Sequence, residues 1–476
     1  MLLDGYGYTK KVTNKTTIRW ACANRTKETC DAALSTDTQV SQVISPATPH
    51  SHPADVNLAA ATKLRVELKE RAAIDRGNPS QVVADVMSQY PIGARAAAGQ
   101  KNTIKRAVRR AKRGQTPVEP DCIQDIPPLA EEFTTTGGED NFRFLIYDNY
   151  DEGSPNNNRV LVFATEYSLK HLCKSDHWFM DGTFGTAPKQ FQQIFVIHAA
   201  DDDNLPLTCV YALLPRKSNE TYKEVFTAVL NACENYNLIP YPTVVSCDFE
   251  QAIHKAILST FGHVRIQGCF FHLTQSTWRR IQEEGLTGRY KADEDAKHFC
   301  GMLDSLAFLP PNQVKEGMAF LRTRIPDGFE GVVDYFDSNY VNGPFTATRL
   351  PGGRMGLARC TSPRYSIEVW NVYQATMDGT GRTNNVCESW NHSFGHLVGH
   401  KNPGLYHVIR SMINDQLGVL TEMERINLGR PSTQRLKKKA EHHQARLKGA
   451  CLKLTNGRLS MAQFLHDVGR HIRLVK

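Results

Sequence analysis

His177-Trp178-Phe179-Met180-Asp181-Gly182-Thr183-Phe184 is an apolar run that carries one carboxylate near its end. Asp-Gly between apolar residues is a hairpin-turn signal. The following Gly185-Thr186-Ala187-Pro188-Lys189 is a better turn, which frees Asp181 to sit within a strand. Two further carboxylates stand in comparable positions: Asp248, at the end of Tyr241-Pro242-Thr243-Val244-Val245-Ser246-Cys247-Asp248, and Glu388, in Thr383-Asn384-Asn385-Val386-Cys387-Glu388-Ser389-Trp390-Asn391.

Strand signals crowd around this stretch. Phe142 to Tyr147, Arg159 to Ala164, Phe191 to His198 and Leu207 to Leu214 are rich in β-branched and aromatic residues, and Asp201-Asp202-Asp203-Asn204 marks a turn. His177 to Leu214 therefore predicts an antiparallel meander. A helix introduced by Asn219-Glu220-Thr221, a strand Thr243 to Cys247, a helix Phe249 to Phe261, a strand Val264 to Cys269 and a helix through Trp278 follow. Three antiparallel strands and then alternating helix and strand predict an α/β RNase H-like core. In that layout the first and fourth strands are neighbours, so Asp181 and Asp248 meet although 67 residues separate them. A third acid on a helix across the sheet, Glu388, closes the group. Hard oxygen ligands of this kind suit Mg²⁺ or Mn²⁺, and two such ions about 3.5–4 Å apart can clamp the oxygens of a phosphoryl displacement. Local readings compete: Asp248 could begin the next helix, and Asn385-x-x-Glu388 has capping-box spacing.

The first fifty-odd residues are a different kind of sequence. Short strand-like runs (Thr16 to Cys22, Gln39 to Ile44) are too few to bury a core, so the segment needs a staple. Cys22 and Cys30, followed by His50-Ser51-His52, offer four ligands for a closed tetrahedral zinc site. From Asn57 the pattern becomes helical: Leu58, Ala61, Leu64, Leu68 and Ala72, then Val82, Val83 and Val86 after Asn78-Pro79-Ser80, then Ile104, Val108 and Ala111. That third helix carries Lys101, Lys105, Arg106, Arg109, Arg110, Lys112 and Arg113 with no acid, which suits DNA phosphates or a plain solvated spacer. Arg435 to Lys448 is a second basic run. These clusters give meaning to a mild formal charge of +8, from 57 Lys and Arg against 49 Asp and Glu. The twelve cysteines are scattered, several in apolar runs, and form no disulfide framework. No leader and no apolar stretch long enough for a membrane span is present, so a reducing intracellular setting is expected.

The amino-terminal segment resembles the FLYWCH-type zinc fingers, through Asp4-Gly5-Tyr6, Tyr8, Trp20, Cys22, Cys30, His50 and His52. The Phe that opens the family name has no counterpart, which reads as a shortened first strand or a fragment. Asp181-Gly182-Thr183-Phe184, Asp248-Phe249-Glu250-Gln251-Ala252, Cys269-Phe270-Phe271-His272 with Gln275 and Trp278, and Asn384-Asn385-x-x-Glu388-x-x-Asn391 resemble the transposase domain of Mutator-like elements (MULE) from about Gly138 to Leu405. The resemblance implies a helical insertion before the Glu and a catalytic triad of Asp181, Asp248 and Glu388. It also implies that Cys269 and His272 lie beside the active site, supporting the acids from behind or touching DNA, against a buried thiol and a helix-starting His.

The expected organisation is a zinc-binding all-β module over 1–56, a helical linker with the basic helix over 57–128, and the first part of the core over 129–290. A mainly helical insertion without a strand series follows over 291–380, then the core helix with the third acid over 381–410 and a helical tail over 411–476. The expected function is a DDE-type transposase of the Mutator-like class. Its partners would be the element's terminal inverted repeats and target DNA, with a second copy of the chain also considered and no membrane, and its location the nucleus. The rivals are a domesticated, non-catalytic zinc-finger DNA-binding regulator and a plain metal-dependent nuclease.

Overall fold

Alternating polar and apolar residues at the amino terminus form β1 (Leu2–Leu3), β2 (Tyr6–Thr13), β3 (Thr17–Cys22), β4 (Ala33–Asp37) and β5 (Val43–Ser45). In the computed structural model these pair as an antiparallel sheet in sequence order. The structure describes residues 1–55, 57–74, 79–113, 117–151, 157–200, 206–349, 355–379, 382, 384–429 and 438–473. Tyr8, Ile18 and Leu34 are buried in the small sheet, and its one contiguous core cluster is Cys22, Cys30 and Ala32. So little apolar surface cannot offset the entropy of ordering the segment.

Helices Leu58–Ile74, Pro79–Ser88, Ile92–Ala97 and Lys101–Arg113 follow. They bury Ala61, Leu64, Leu68, Val83, Val86, Ile104 and Val108 together. The helix Ile92–Ala97 was not evident in the sequence because only Ala94 within it is buried, which leaves no periodicity to detect. Lys101, Arg106, Arg109 and Arg110 are exposed and Lys105 is half-buried, while the side chains of Lys112 and Arg113 lie outside the described residues, as does the start of the second basic run.

The chain divides into two compact units after Val118, upstream of the boundary expected at 128/129. The reason is local bonding. Glu119 accepts from the Leu405 amide at the start of a core helix (2.8 Å), and Arg159, buried and bidentate on Asp148, donates to the Ile126 and Pro127 carbonyls.

In the second unit a seven-stranded sheet holds β6 (Leu145–Asp148), β7 (Leu161–Phe163), β8 (His177–Thr183), β9 (Gln193–Ala200), β10 (Pro206–Leu214), β11 (Val244–Cys247) and β12 (Arg265–Gly268). Their order is β12-β11-β8-β9-β10-β7-β6. β8, β9 and β10 are antiparallel, whereas β11 runs parallel to β8 and β12 parallel to β11. The turn expected at Asp201 to Asn204 lies outside the described residues.

Both faces of the sheet are covered, so its strands read as near-continuous apolar runs. Val162, Trp178, Met180, Phe195 and Ile197 pack on helices Glu166–Lys174, Asn219–Asn235 and Gln251–Phe261. On the other face Leu161, Phe163, Ile194, Val196 and Leu213 pack on Trp390 and Phe394 of helix Asn385–Val398 and on Val408 and Met412 of helix Leu405–Asn427. Period-two alternation puts Asp181 on this second face.

The segment expected to lack strands contains a hairpin, β13 (Phe345–Arg349) with β14 (Met355–Cys360). The Pro and Gly around it made the segment read as loop. Its helices do not stand alone: Phe299, Leu303, Met318, Val332, Phe336 and Trp370 share one core with Phe464, Leu465 and Val468 of the helix Met461–Arg473. The two parts meet so closely that a Cβ on Gly301 would lie 2.3 Å from the Gly469 carbonyl oxygen. Arg473 pairs with Asp304 (Nη2–Oδ2 2.5 Å), whose side chain is fully buried. Among the described residues no helix is long and apolar enough to cross a membrane.

Removing one partner of a buried ion pair leaves the other uncompensated. Asp304→Ala is therefore expected to lower stability by roughly 3–5 kcal/mol, measured as a fall in the urea midpoint. A loss below about 1 kcal/mol would return the pair to the class of surface salt bridges.

Candidate metal centre and active site

Cys22 ends β3 and Cys30 precedes β4, so the sheet holds two thiols at its end, and His50 and His52 return after β5. One ligand atom from each of the four lies within 4.8 Å of the others. Cys22 Sγ is 3.2 Å from His52 Nε2, and Cys30 Sγ is 3.4 Å from His50 Nδ1. A tetrahedral zinc needs a sulfur–nitrogen edge of about 3.5 Å, so the ligand set fits. The remaining ring nitrogens are engaged: His50 Nε2 meets the Tyr8 hydroxyl at 2.7 Å and His52 Nδ1 the Pro53 carbonyl at 3.0 Å. Such outer partners fix tautomer and ring orientation. Tyr6 stacks on His50, with centroids 3.6 Å apart. Burial pushes the Cys22 thiol up. Burial also opposes ionisation of Cys30, but backbone N–H groups of Ser51 and Ala32 outweigh it and bring that thiol to about 6.

The second site is a cavity of about 550 Å³ at the end of β8 and β11, and Asp181, Asp248 and Glu388 all line it. Asp181 lies inside β8, paired with Val196 of β9, so the turn reading of Asp181-Gly182 does not hold. A side chain at the neighbouring Gly182 would have to displace Gln193, whose amide oxygen a Cβ would approach to 2.1 Å. β11 pairs Val244 with His177, Val245 with Trp178 and Ser246 with Phe179. Continued by two residues, that register sets Asp248 level with Asp181. Glu388 comes from helix Asn385–Val398, which Asn384 fastens to the sheet: its side-chain amide donates to the Met180 carbonyl (3.0 Å). Asn384 is the N-cap and makes no side-chain cap, so Glu388 lies beyond the capping-box position and that reading also fails. Two turns on, Asn391 donates to Asp181 Oδ2 (3.0 Å), and the Gly182 amide donates to Oδ1 (2.8 Å).

Cys269 and His272 separate in role. Cys269 is buried at the start of helix Phe270–Glu283, and its sulfur accepts the Asn384 amide at 3.1 Å. It steadies the helix bearing Glu388, and burial excludes direct contact with DNA. His272 lines the cavity, and its Nδ1 is buried without a hydrogen-bond partner. Glu388 Oε1 and Asn391 Oδ1 are orphaned in the same way. Buried polar atoms without partners are uncommon in a folded protein, and three of them belong to residues that line this one pocket. The carboxylates stand further apart than the thiolate and imidazole group, which is the one set of three or more ligand atoms within 4.8 Å among the described residues.

Burial, and then the neighbouring charge of Asp248, raise Asp181 from 3.8 to about 6. Burial likewise raises Glu388, against the opposing pull of His272. Motif reading missed the cations of this pocket, Lys217 and Arg279. Lys217 pairs with Glu250 (2.9 Å), which also accepts from the Tyr222 hydroxyl (2.9 Å). Each stands in a pair of bases, Arg216-Lys217 and Arg279-Arg280, too short a run to mark a site, although Glu250 stood inside a motif already singled out.

Residues 177–276 match the family model of the MULE transposase domain, and residues 1–52 match that of the FLYWCH zinc finger domain. The first range holds Asp181, Asp248, Cys269 and His272 and ends before Glu388. Together the matches indicate a transposase-related DNA-binding protein with a site for structural zinc. No curated protein matches the chain.

Two outcomes follow from these sites. Because folding and metal binding are coupled in a module with so small a core, the intact protein should carry one zinc and lose it in Cys22→Ser. Elemental analysis checks this, together with loss of the module's protease resistance in chelator; unchanged zinc in the variant refutes the ligand set. The second outcome concerns Asp181, whose folded pKa lies above its unfolded one. Its charge costs nothing below 3.8 and its full penalty above about 6. Asp181→Asn should therefore stabilise the metal-free protein by ~2–3 kcal/mol above that window, with the gain vanishing as pH falls through it. Urea unfolding in chelator across this pH range is the measurement; a gain independent of pH would contradict the assignment.

Proposed function

We propose that the chain is a DDE-type transposase of the Mutator-like class, with an RNase H-like core that cuts and joins DNA strands and a zinc-stapled module and basic helix that bind DNA. The carrying observation is that Asp181, Asp248 and Glu388 line one pocket, although they come from two strand ends and a helix far apart in sequence. The strand order β10-β9-β8-β11-β12, antiparallel through β8 and parallel beyond it, supports the RNase H-like reading.

In this reading the three acids hold Mg²⁺ or Mn²⁺, which would activate water or a 3′-hydroxyl and offset charge on the phosphate. The protein's own groups set the geometry. Asn391 and the Gly182 amide fix both oxygens of Asp181, so that carboxylate has one rotamer before substrate arrives. Asn384 and Cys269 hold the turn from which Glu388 projects. Lys217, Arg279 and His272 line the same pocket and offer donors to phosphate oxygens. The expected place of action is the nucleus.

An amide cannot replace a carboxylate in this work. Asp248→Asn and Glu388→Gln should each abolish cleavage and joining of DNA bearing the element's ends, a loss of at least ~10³-fold, while leaving folding and DNA binding nearly intact. Cleavage at wild-type rate by Glu388→Gln would remove Glu388 from the triad. Wild-type protein that binds these ends but never cuts them would leave the regulator reading, and cutting without joining would leave the nuclease.

A further inference from the structure

Phe184 and Phe271 are the two exposed phenylalanines among those whose side chains the structure describes, at 51% and 41% exposure. Both line the three-acid pocket. The other phenylalanines whose side chains the structure describes are buried or partly buried, so this exposure is concentrated at one place. Phe184 directly follows β8, and Phe271 lies in the first turn of the helix Phe270–Glu283. The two rings therefore reach the cavity from different parts of the chain. Neither is there to fill a core. Lys217 Nζ lies 4.3 Å from the centroid of the Phe184 ring while it pairs with Glu250, which covers the ring with a held cation. Phe271 meets the His272 ring edge-on, with centroids 5.8 Å apart.

An exposed aromatic face beside a fixed cation, above a pocket suited to a phosphate, is the chemistry that receives an unstacked nucleobase. We infer that Phe184 and Phe271 form a base-stacking subsite that holds unpaired nucleotides flanking the phosphate in the pocket. The inference rests on the reading that this pocket takes DNA, and it names the form of DNA: a frayed or single-stranded segment. A flush duplex keeps its bases stacked on one another and presents no face to these rings. The two phenylalanines are positioning residues, because they touch the substrate's bases and no reacting atom.

The test is equilibrium binding in chelator, with no cleavage, of two probes to the full-length protein. One is a short hairpin duplex with a single-stranded tail containing 2-aminopurine, and the other is the same hairpin with a blunt end. Stacking predicts quenched 2-aminopurine emission and tighter binding of the tailed probe. Phe184→Ala and Phe271→Ala should each weaken tailed binding roughly 5- to 100-fold, the range for one lost base stack, and leave blunt binding unchanged. Phe→Trp at either position should retain the quench, and Phe→Leu, which keeps apolar bulk without a ring, should lose it. Equal loss on both probes, or full quenching in the double Ala variant, would overturn the subsite. The outcome is separable from that of the triad. Should Asp248→Asn still cut DNA while the phenylalanine variants lose tail preference, the subsite stands and the triad reading falls. Should the acids prove essential while tail preference survives in the double variant, the subsite alone falls.

Discussion

A single hydrogen bond, from the Asn384 side chain to the Met180 carbonyl, joins parts of the chain that share no local sequence signal. Met180 lies next to Asp181 inside β8, and Asn384 is the residue from which helix Asn385–Val398 departs. The bond fixes where that helix crosses the sheet, and so where Glu388 and Asn391 point. The Cys269 sulfur holds the same residue from the other side through its amide. Asn384 is fully buried, which makes these interactions strong and their loss costly, since nothing else could satisfy the amide.

The pocket gathers like charges at a place where burial disfavours them. Fixing Asp181 with two donors does not relieve this strain, as its raised pKa shows. Stability is sacrificed at the site to keep acceptors aimed and unsatisfied, and is supplied by the apolar faces of the sheet on either side. This division is usual where a fold carries chemistry.

Much of the arrangement was legible because it is written in short-range patterns. The meander of β8 to β10 follows from runs of β-branched and aromatic residues, and the four ligands around Cys22 follow from spacing in a segment with too little core. Asp181 stood out because it interrupts an apolar strand. What escaped detection depends on distance. Lys217 and Arg279 enter the pocket from separate elements, and neither belongs to a cluster in the sequence. The parting of Glu119 from the preceding helices follows from its bond to the Leu405 amide, which no local composition encodes. The shared core of the insertion and the final helix is of the same kind, because each amphipathic stripe is visible alone but not its partner.

That last packing bears on how the chain survives in a cell. Phe464, Leu465 and Val468 complete a core begun by Phe299 and Leu303, and Gly301 and Gly469 touch backbone to backbone. The insertion is thus left open until the ribosome has finished the helix Met461–Arg473. A chain cut short before this helix would carry every acid of the pocket, yet it would expose Phe299 and Leu303 to chaperones and proteases.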